Sequence, residues 1–241
     1  MIELIGVSKS YNGSVQAVKT MDLTVPKGEI FGFLGHNGAG KTTTIKMMTG
    51  IIRPDTGQVR INGKDMREEP LEAKKQFGYV PDSPDLFLRL KGLEYLNFMA
   101  DMYEVEPEVR KKRIVKLAER FEMTDALGDT IHSYSHGMRQ KIIIMGVLVH
   151  EPEVWILDEP MTGLDPKSSF TLKEMMREHA DNGRTVFFST HVLEVAEKLC
   201  DRVAIINKGE ILFCGTFAEM QQHFQSDASL EKLFLELTSH E

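Results

Sequence analysis

Short apolar runs alternate with longer stretches of mixed polarity along most of the chain. Ile2 to Val7 and Val15 to Val25 are β-rich runs separated by Asn12-Gly13, the pattern of two strands joined by a turn. Ile30 to Leu34 is a compact apolar strand that runs into a glycine-rich stretch and then a helix through Met48. Gln58 to Ile61, ended by Asn62-Gly63, and Phe77 to Val80, stopped by Pro81 and Pro84, read as further short strands. From Leu86 to Val149 the strand signal disappears, and the spacing predicts helices over 92–103, 107–121 and 135–149. Strands return at Val154 to Leu157, Thr185 to Phe188, Val203 to Ile206 and Ile211 to Phe213. Between the first two lies a helix with Asp165 as its cap, Pro166 in its first turn and Gly183 at its end. The last twenty or so residues predict one or two terminal helices.

Strands alternating with helices imply an α/β core, and the all-helical middle implies an inserted subdomain. Within it, Glu94, Asn97 and Asp101 form one narrow polar stripe, and apolar residues cover the rest of that helix. Such a helix is expected to be buried on more than one side.

Length and charge narrow the classes. The 241 residues suit one large domain, and 41% hydrophobic with 27% charged residues excludes a disordered chain. A net charge of −7 argues against general binding to nucleic acid backbones. The longest apolar run, Ile142 to Val149, is far short of the roughly 20 residues of a membrane span. Glu3 interrupts the start, so no leader of the secretory type is expected. Two cysteines, Cys200 and Cys214, without metal spacing fit a reducing cytoplasm.

Gly35-His36-Asn37-Gly38-Ala39-Gly40-Lys41-Thr42 fits G-x-x-x-x-G-K-[ST] between an apolar strand and a helix, the context this phosphate loop requires. The glycines let backbone N–H groups turn inward, and the helix N-terminus adds partial positive charge. Lys41 supplies a cation for the β- and γ-phosphates, and the Thr42 hydroxyl is a Mg²⁺ ligand. Val154 to Leu157 ends in Asp158-Glu159. Strand ends in a parallel sheet line the ligand crevice, so Asp158 is expected at Mg²⁺ and Glu159 as general base for water. Asn207-Lys208-Gly209-Glu210 approaches a guanine-reading motif but ends in Glu and fits a hairpin turn instead.

In this order the motifs resemble the ATP-binding subunit of ABC transporters over nearly the whole chain, most of all bacterial exporter or multidrug-type subunits. The resemblance implies a P-loop NTPase core with an antiparallel β subdomain and an inserted helical subdomain, the ABC ATPase fold. Residues 1–241 then form one such domain, with core 1–84 and 154–220, helical insert 85–153 and helical tail 221–241. Tyr11 lies where the family has an aromatic that stacks on adenine, and the run from Gly35 through Thr43 is the ATP-binding loop. Tyr134-Ser135-His136-Gly137-Met138 stands at the signature L-S-G-G-Q. Gly163-Leu164-Asp165 matches the D-loop and His191 the switch histidine.

The implied cofactors are ATP and Mg²⁺. Ser135, His136 and Gly137 would bind the γ-phosphate held by the opposite subunit, and Asp165 would support the dimer seam. His191 would act beside Glu159 in catalysis. Asp82 stands where the family usually has Gln, a candidate at Mg²⁺ through water but a poorer donor to the nucleophile. The side chain at His136 must point away from the nucleotide, or closure weakens.

The implied partners are transmembrane permease subunits and a second ATPase subunit, identical or related, with no nucleic acid. The implied location is cytoplasmic, peripheral at the inner face of the membrane. The helix from Leu93, with Leu86, Phe87 and Leu88, is either packed inside the insert or part of a groove for a cytoplasmic helix of the permease. Two alternatives stand beside transport: a soluble ATPase switch on ribosome or DNA, which one phosphate loop and no sustained heptads argue against, and a nucleotide-dependent regulator that hydrolyses weakly.

Overall fold

The computed structural model describes residues 1–12, 15–224 and 229–239. Two sheets organise it. The first is antiparallel, in the order β2-β1-β4-β5, from β1 (Ile2–Tyr11), β2 (Val15–Val25), β4 (Thr56–Ile61) and β5 (Lys64–Asp65). The Asn12-Gly13 turn is described only at Asn12, which has φ 52°; Gly13 lies outside the described residues.

The second sheet has the order β10-β9-β3-β8-β7-β6. Its strands are β3 (Ile30–Leu34), β6 (Phe77–Val80), β7 (Val154–Asp158), β8 (Thr185–Thr190), β9 (Arg202–Asn207) and β10 (Glu210–Gly215). All neighbours are parallel except β10, which folds back on β9 through Lys208-Gly209. The guanine-like motif is therefore a hairpin turn, with both turn residues at positive φ. Every residue of β3, β7 and β8 is buried. That follows from continuous apolar runs, which a parallel sheet covered on both faces demands.

One face packs toward the antiparallel sheet and α1 (Lys41–Met48) through Phe31, Phe33, Ile45, Ile156 and Phe187. The other packs against helices through Trp155, Leu157 and Phe188. These helices are α3 (Gly92–Met102), α4 (Pro107–Arg120) and α5 (His136–Leu148), which form the helical block, and α6 (Pro166–Asp181). Helix α5 is the block's centre: Ile142 through Leu148 are all buried. A Cβ at Gly146 would collide with the Tyr95 ring, so glycine lets α3 approach α5 closely.

Short helices α2 (Pro70–Lys75) and α7 (Leu193–Leu199) fall below the length at which periodicity is readable. Helices α8 (Phe217–Phe224) and α9 (Leu230–Ser239) close the chain. Met220, Leu233 and Phe234 pack on Leu34, Ala196 and Ile205.

The expectation for the Leu93 helix needs correction. Tyr95, Leu96 and Ala100 of α3 are buried, but Leu93, Phe98 and Met102 are exposed. The block covers α3 from one side, toward α5 and α4, and leaves the other side to solvent.

Candidate nucleotide site

The carboxyl ends of β3, β7 and β8 converge on one cleft of about 340 Å³. It is lined by His36, Asn37, Gly38, Gly40, Lys41, Thr42 and Thr43, and across from them by Asp82, Glu159, Thr162 and His191. The loop's shape is forced by close approach. Gly40 has φ 111°, and a Cβ there would stand 2.6 Å from the Ala17 carbonyl oxygen. At Gly35 a Cβ would meet the Ile206 carbonyl oxygen at 2.5 Å. Ala39 faces inward instead, donating to the His36 carbonyl and accepting from Gly209 N.

Lys41 is 6% exposed. Its Nζ donates to the Gly35 carbonyl at 2.7 Å and the His36 carbonyl at 3.3 Å, and lies 3.3 Å from Glu159 Oε1. The ammonium is thus held over the loop by fixed carbonyls.

Asp158 is fully buried. Ser189 Oγ donates to its Oδ1 at 2.6 Å and accepts from the Glu159 backbone N–H at 3.0 Å. Burial pushes the Asp158 carboxyl above its usual range, against hydrogen bonds from Ser189 and Thr42; nearby Asp82 and Glu159 push the same way. Its Oδ2 has no partner among the described residues. A buried, unpaired carboxylate oxygen is costly unless a cation satisfies it. The chemistry of this pair, a hydroxyl and a carboxylate, suits Mg²⁺, a hard cation that takes oxygen ligands.

Glu159 follows at φ 48°, unusual for a side chain of its size. Its Oε2 lies 3.0 Å from His191 Nδ1, while His191 itself is half exposed to the cleft. A carboxylate between a lysine and a histidine can hold and orient a water. Thr162, Ser189 and the strained turn at Glu159 were not singled out by sequence reasoning. Thr162 and Ser189 lie three residues after Glu159 and two before His191, and that proximity is their only signal.

Other expected site residues lie elsewhere. Tyr11, at the end of β1, is 40% exposed and does not line the cleft. Ser135, His136 and Gly137 start α5 away from it. The Ser135 side chain caps α5 by accepting from Met138 N at 3.2 Å. The His136 ring packs on Gly163, where a Cβ would overlap it. Asp165 caps α6 by accepting from Ser168 N at 3.0 Å and Ser168 Oγ at 2.5 Å. Those bonds, with Lys141 at 3.3 Å, hold its carboxyl well below the ordinary range.

Comparison with known proteins agrees with this geometry. The ABC transporter family model matches residues 18–162. The ATP-binding protein EcsA of an ABC-type transporter from Bacillus subtilis is 38% identical over 93% of this chain and 91% of its own. The daunorubicin/doxorubicin resistance ATP-binding protein DrrA from Streptomyces peucetius is 36% identical over 94% of this chain and 68% of its own. A solved ATP-binding subunit of an ABC transporter superposes with a TM-score of 0.94 at 33% identity, covering 98% of this chain and 99% of that one. With a phosphate loop and paired acids in one cleft, and this likeness along its length, the chain belongs to the ABC transporter family as an ATP-binding, ATP-hydrolysing subunit.

Proposed function

We propose that this chain is the ATPase motor of an exporter, working as a head-to-tail dimer around two Mg-ATP and driving a separate membrane permease. The observation that carries the reading is the separation of two chemistries on one chain. The cleft holds the phosphate loop, the acids and His191, while Ser135 and Gly137 stand outside it at an exposed helix N-terminus. Such a terminus is suited to an anion. It completes a site only when a second chain presents it, and because one chain carries both parts, two copies complete two sites.

In that assembly Lys41 and the loop N–H groups bind the phosphates. A phosphate drawn to Lys41 Nζ competes with Glu159 for the same cation. Glu159 is then released to accept the proton of the attacking water, with His191 orienting its carboxylate. Mg²⁺, when bound at Thr42 and Asp158, polarises the phosphate oxygens. Asp82 lines the same cleft, and in this reading its carboxylate accepts from metal-bound water rather than donating to the nucleophile. Asp165 stays at the seam through its half-exposed carboxylate while it caps α6. Tyr11 offers an exposed ring for adenine.

The permease seat is the open side of α3. Leu86, Phe87, Phe98 and Met102 are exposed there, with the Phe87 and Phe98 rings 5.7 Å apart. An apolar patch of this kind fits a short cytoplasmic helix of a membrane protein. Residues 85–153 act as the lever that joins this seat to the core; of the expected tail 221–241, residues 225–228, 240 and 241 lie outside the described residues. The chain then sits in the cytoplasm against the inner face of the membrane. Among the described residues no helix is long and apolar enough to cross it. Export is supported by likeness to a drug-resistance relative.

Affinity capture from detergent-solubilised native membranes tests the reading. A polytopic membrane protein recovered in stoichiometric amount is expected. Recovery of ribosomal or DNA-bound partners with no membrane protein would overturn it.

A further inference from the structure

A second cleft, of about 190 Å³, lies between α4 and the end of α6, and none of its lining residues belongs to the nucleotide cleft. On α4, Arg113, Lys116 and Arg120 recur at three- and four-residue spacing, which puts them on one stripe. His179 of α6 and Arg184 just beyond its end face them. Two carboxylates also line the cleft, Glu151 and Glu178, against these four cations. On a chain of net charge −7 this is a local reversal of sign.

Donors are left over in this cleft. Arg113 donates to the Val149 carbonyl at 3.0 Å and to Glu151 at 2.5 Å. Arg120 makes a forked pair with Glu178 at 2.6 and 2.9 Å. A guanidinium carries five N–H donors, so each retains several. Arg184 Nε stands 3.7 Å from Glu153, too far for a hydrogen bond. Lys116 makes no hydrogen bond or ion pair among the described residues; its charge acts on Glu178 from a distance. In the cleft's wall His179 is 8% exposed, its ring meets the Trp155 ring edge-on at 5.8 Å, and its Nε2, shut off from solvent, has no partner among the described residues. A buried ring nitrogen left unpaired beside a polar cleft is a group that a ligand entering the cleft can satisfy. Glu151, Glu178 and the carbonyl end of α6 oppose an anion, so the occupant must carry enough charge and enough acceptor oxygens to engage several cations together.

We propose that this cleft is a second anion site, taking a small phosphate-class dianion between Lys116, Arg184, His179 and the free edges of Arg113 and Arg120. A tetrahedral dianion matches these donors because guanidinium forks pair with phosphate oxygens in the plane, while the lysine adds a point charge. Binding there bridges α4 of the helical block to α6 of the core. The inference stands apart from the nucleotide reading.

Inorganic phosphate is the probe, added to the full chain with Mg-ADP saturating. Calorimetry gives stoichiometry, and histidine-ring NMR reports His179. The expected result is one phosphate per chain beyond the nucleotide, with the His179 ring signals moving on the same titration. Lys116→Ala with Arg184→Gln should weaken it about tenfold, since two charge-assisted contacts are lost. Lys116 is exposed, so the single Lys116→Ala variant separates lost binding from lost folding. Lys41→Ala, at the other cleft, should leave it unchanged. Phosphate binding that disappears in Lys41→Ala, persists at full strength in Lys116→Ala/Arg184→Gln, or leaves the His179 signals unmoved would overturn the proposal.

Discussion

The phosphate-loop end of this molecule and the Ser135 end of its helical block are built to different degrees of completion. At the first, Lys41 and Asp158 are buried and held by fixed neighbours, Gly35 and Ser189. At the second, Ser135 and His136 are exposed, and among the described residues the Ser135 oxygen is engaged only in capping its own helix. Burial with partners makes a group pre-organised, so little must rearrange when charge develops. Exposure leaves the Ser135 end dependent on what docks there. Under the proposed reading the contrast makes binding and turnover separable: the first would need the cleft alone, the second both ends.

The sharpest way to break this comparison is Glu159→Gln. A general base contributes about 100- to 10,000-fold, so turnover should fall roughly a thousandfold while ATP binding persists. Steady-state ATPase assays beside nucleotide titration read both, and equal turnover in the variant would remove Glu159 from its role. Next is Lys41→Ala, which removes charge-assisted contacts of about 1.5–3 kcal/mol and should weaken ATP binding about 10- to 100-fold. A change confined to turnover would mean the cleft does not bind as described.

The seam between block and core offers a third, through pH. Burial lowers His150 and His179 to about 4. His150 stacks on Tyr103, with ring centroids 3.6 Å apart. An unfolded histidine titrates near 6.5, so between these values the unfolded chain binds more protons. Stability is therefore full above about pH 6.5 and is lost as pH falls toward 4, by up to about 2 kcal/mol per histidine near pH 5. Thermal melts of the parent and of His150→Gln should show a shallower pH slope in the variant. Equal slopes would place the proton uptake elsewhere. The smallest effect belongs to Ser135→Ala. Loss of the cap costs about 1 kcal/mol of stability, and ATP affinity should stay within about twofold, while turnover drops. A matching loss of affinity would place Ser135 in the cleft of its own chain.

Much of this was legible in the sequence because the signals were local. The run Ile30–Leu34 into Gly-x-x-x-x-Gly-Lys-Thr, the strand ending in Asp158-Glu159, and Asp165-Pro166 opening α6 each carry their own geometry. Lys208-Gly209 read as a hairpin for the same reason. What escaped depends on contacts distant in sequence. Ser189 matters because β8 lies beside β7 and brings its hydroxyl to Asp158. The exposure of Phe98 and Met102 depends on which side of α3 the block covers, and periodicity of a mostly apolar helix does not choose a side. The packing of His136 on Gly163 joins two motifs whose sequence spacing says nothing of contact.

The most direct measurement of the central claim is the solution mass of the Glu159→Gln chain by analytical ultracentrifugation, with Mg-ATP and with Mg-ADP. Two copies completing two sites predict a mass that doubles with ATP and stays that of one chain with ADP. A single-chain mass at saturating ATP would contradict it.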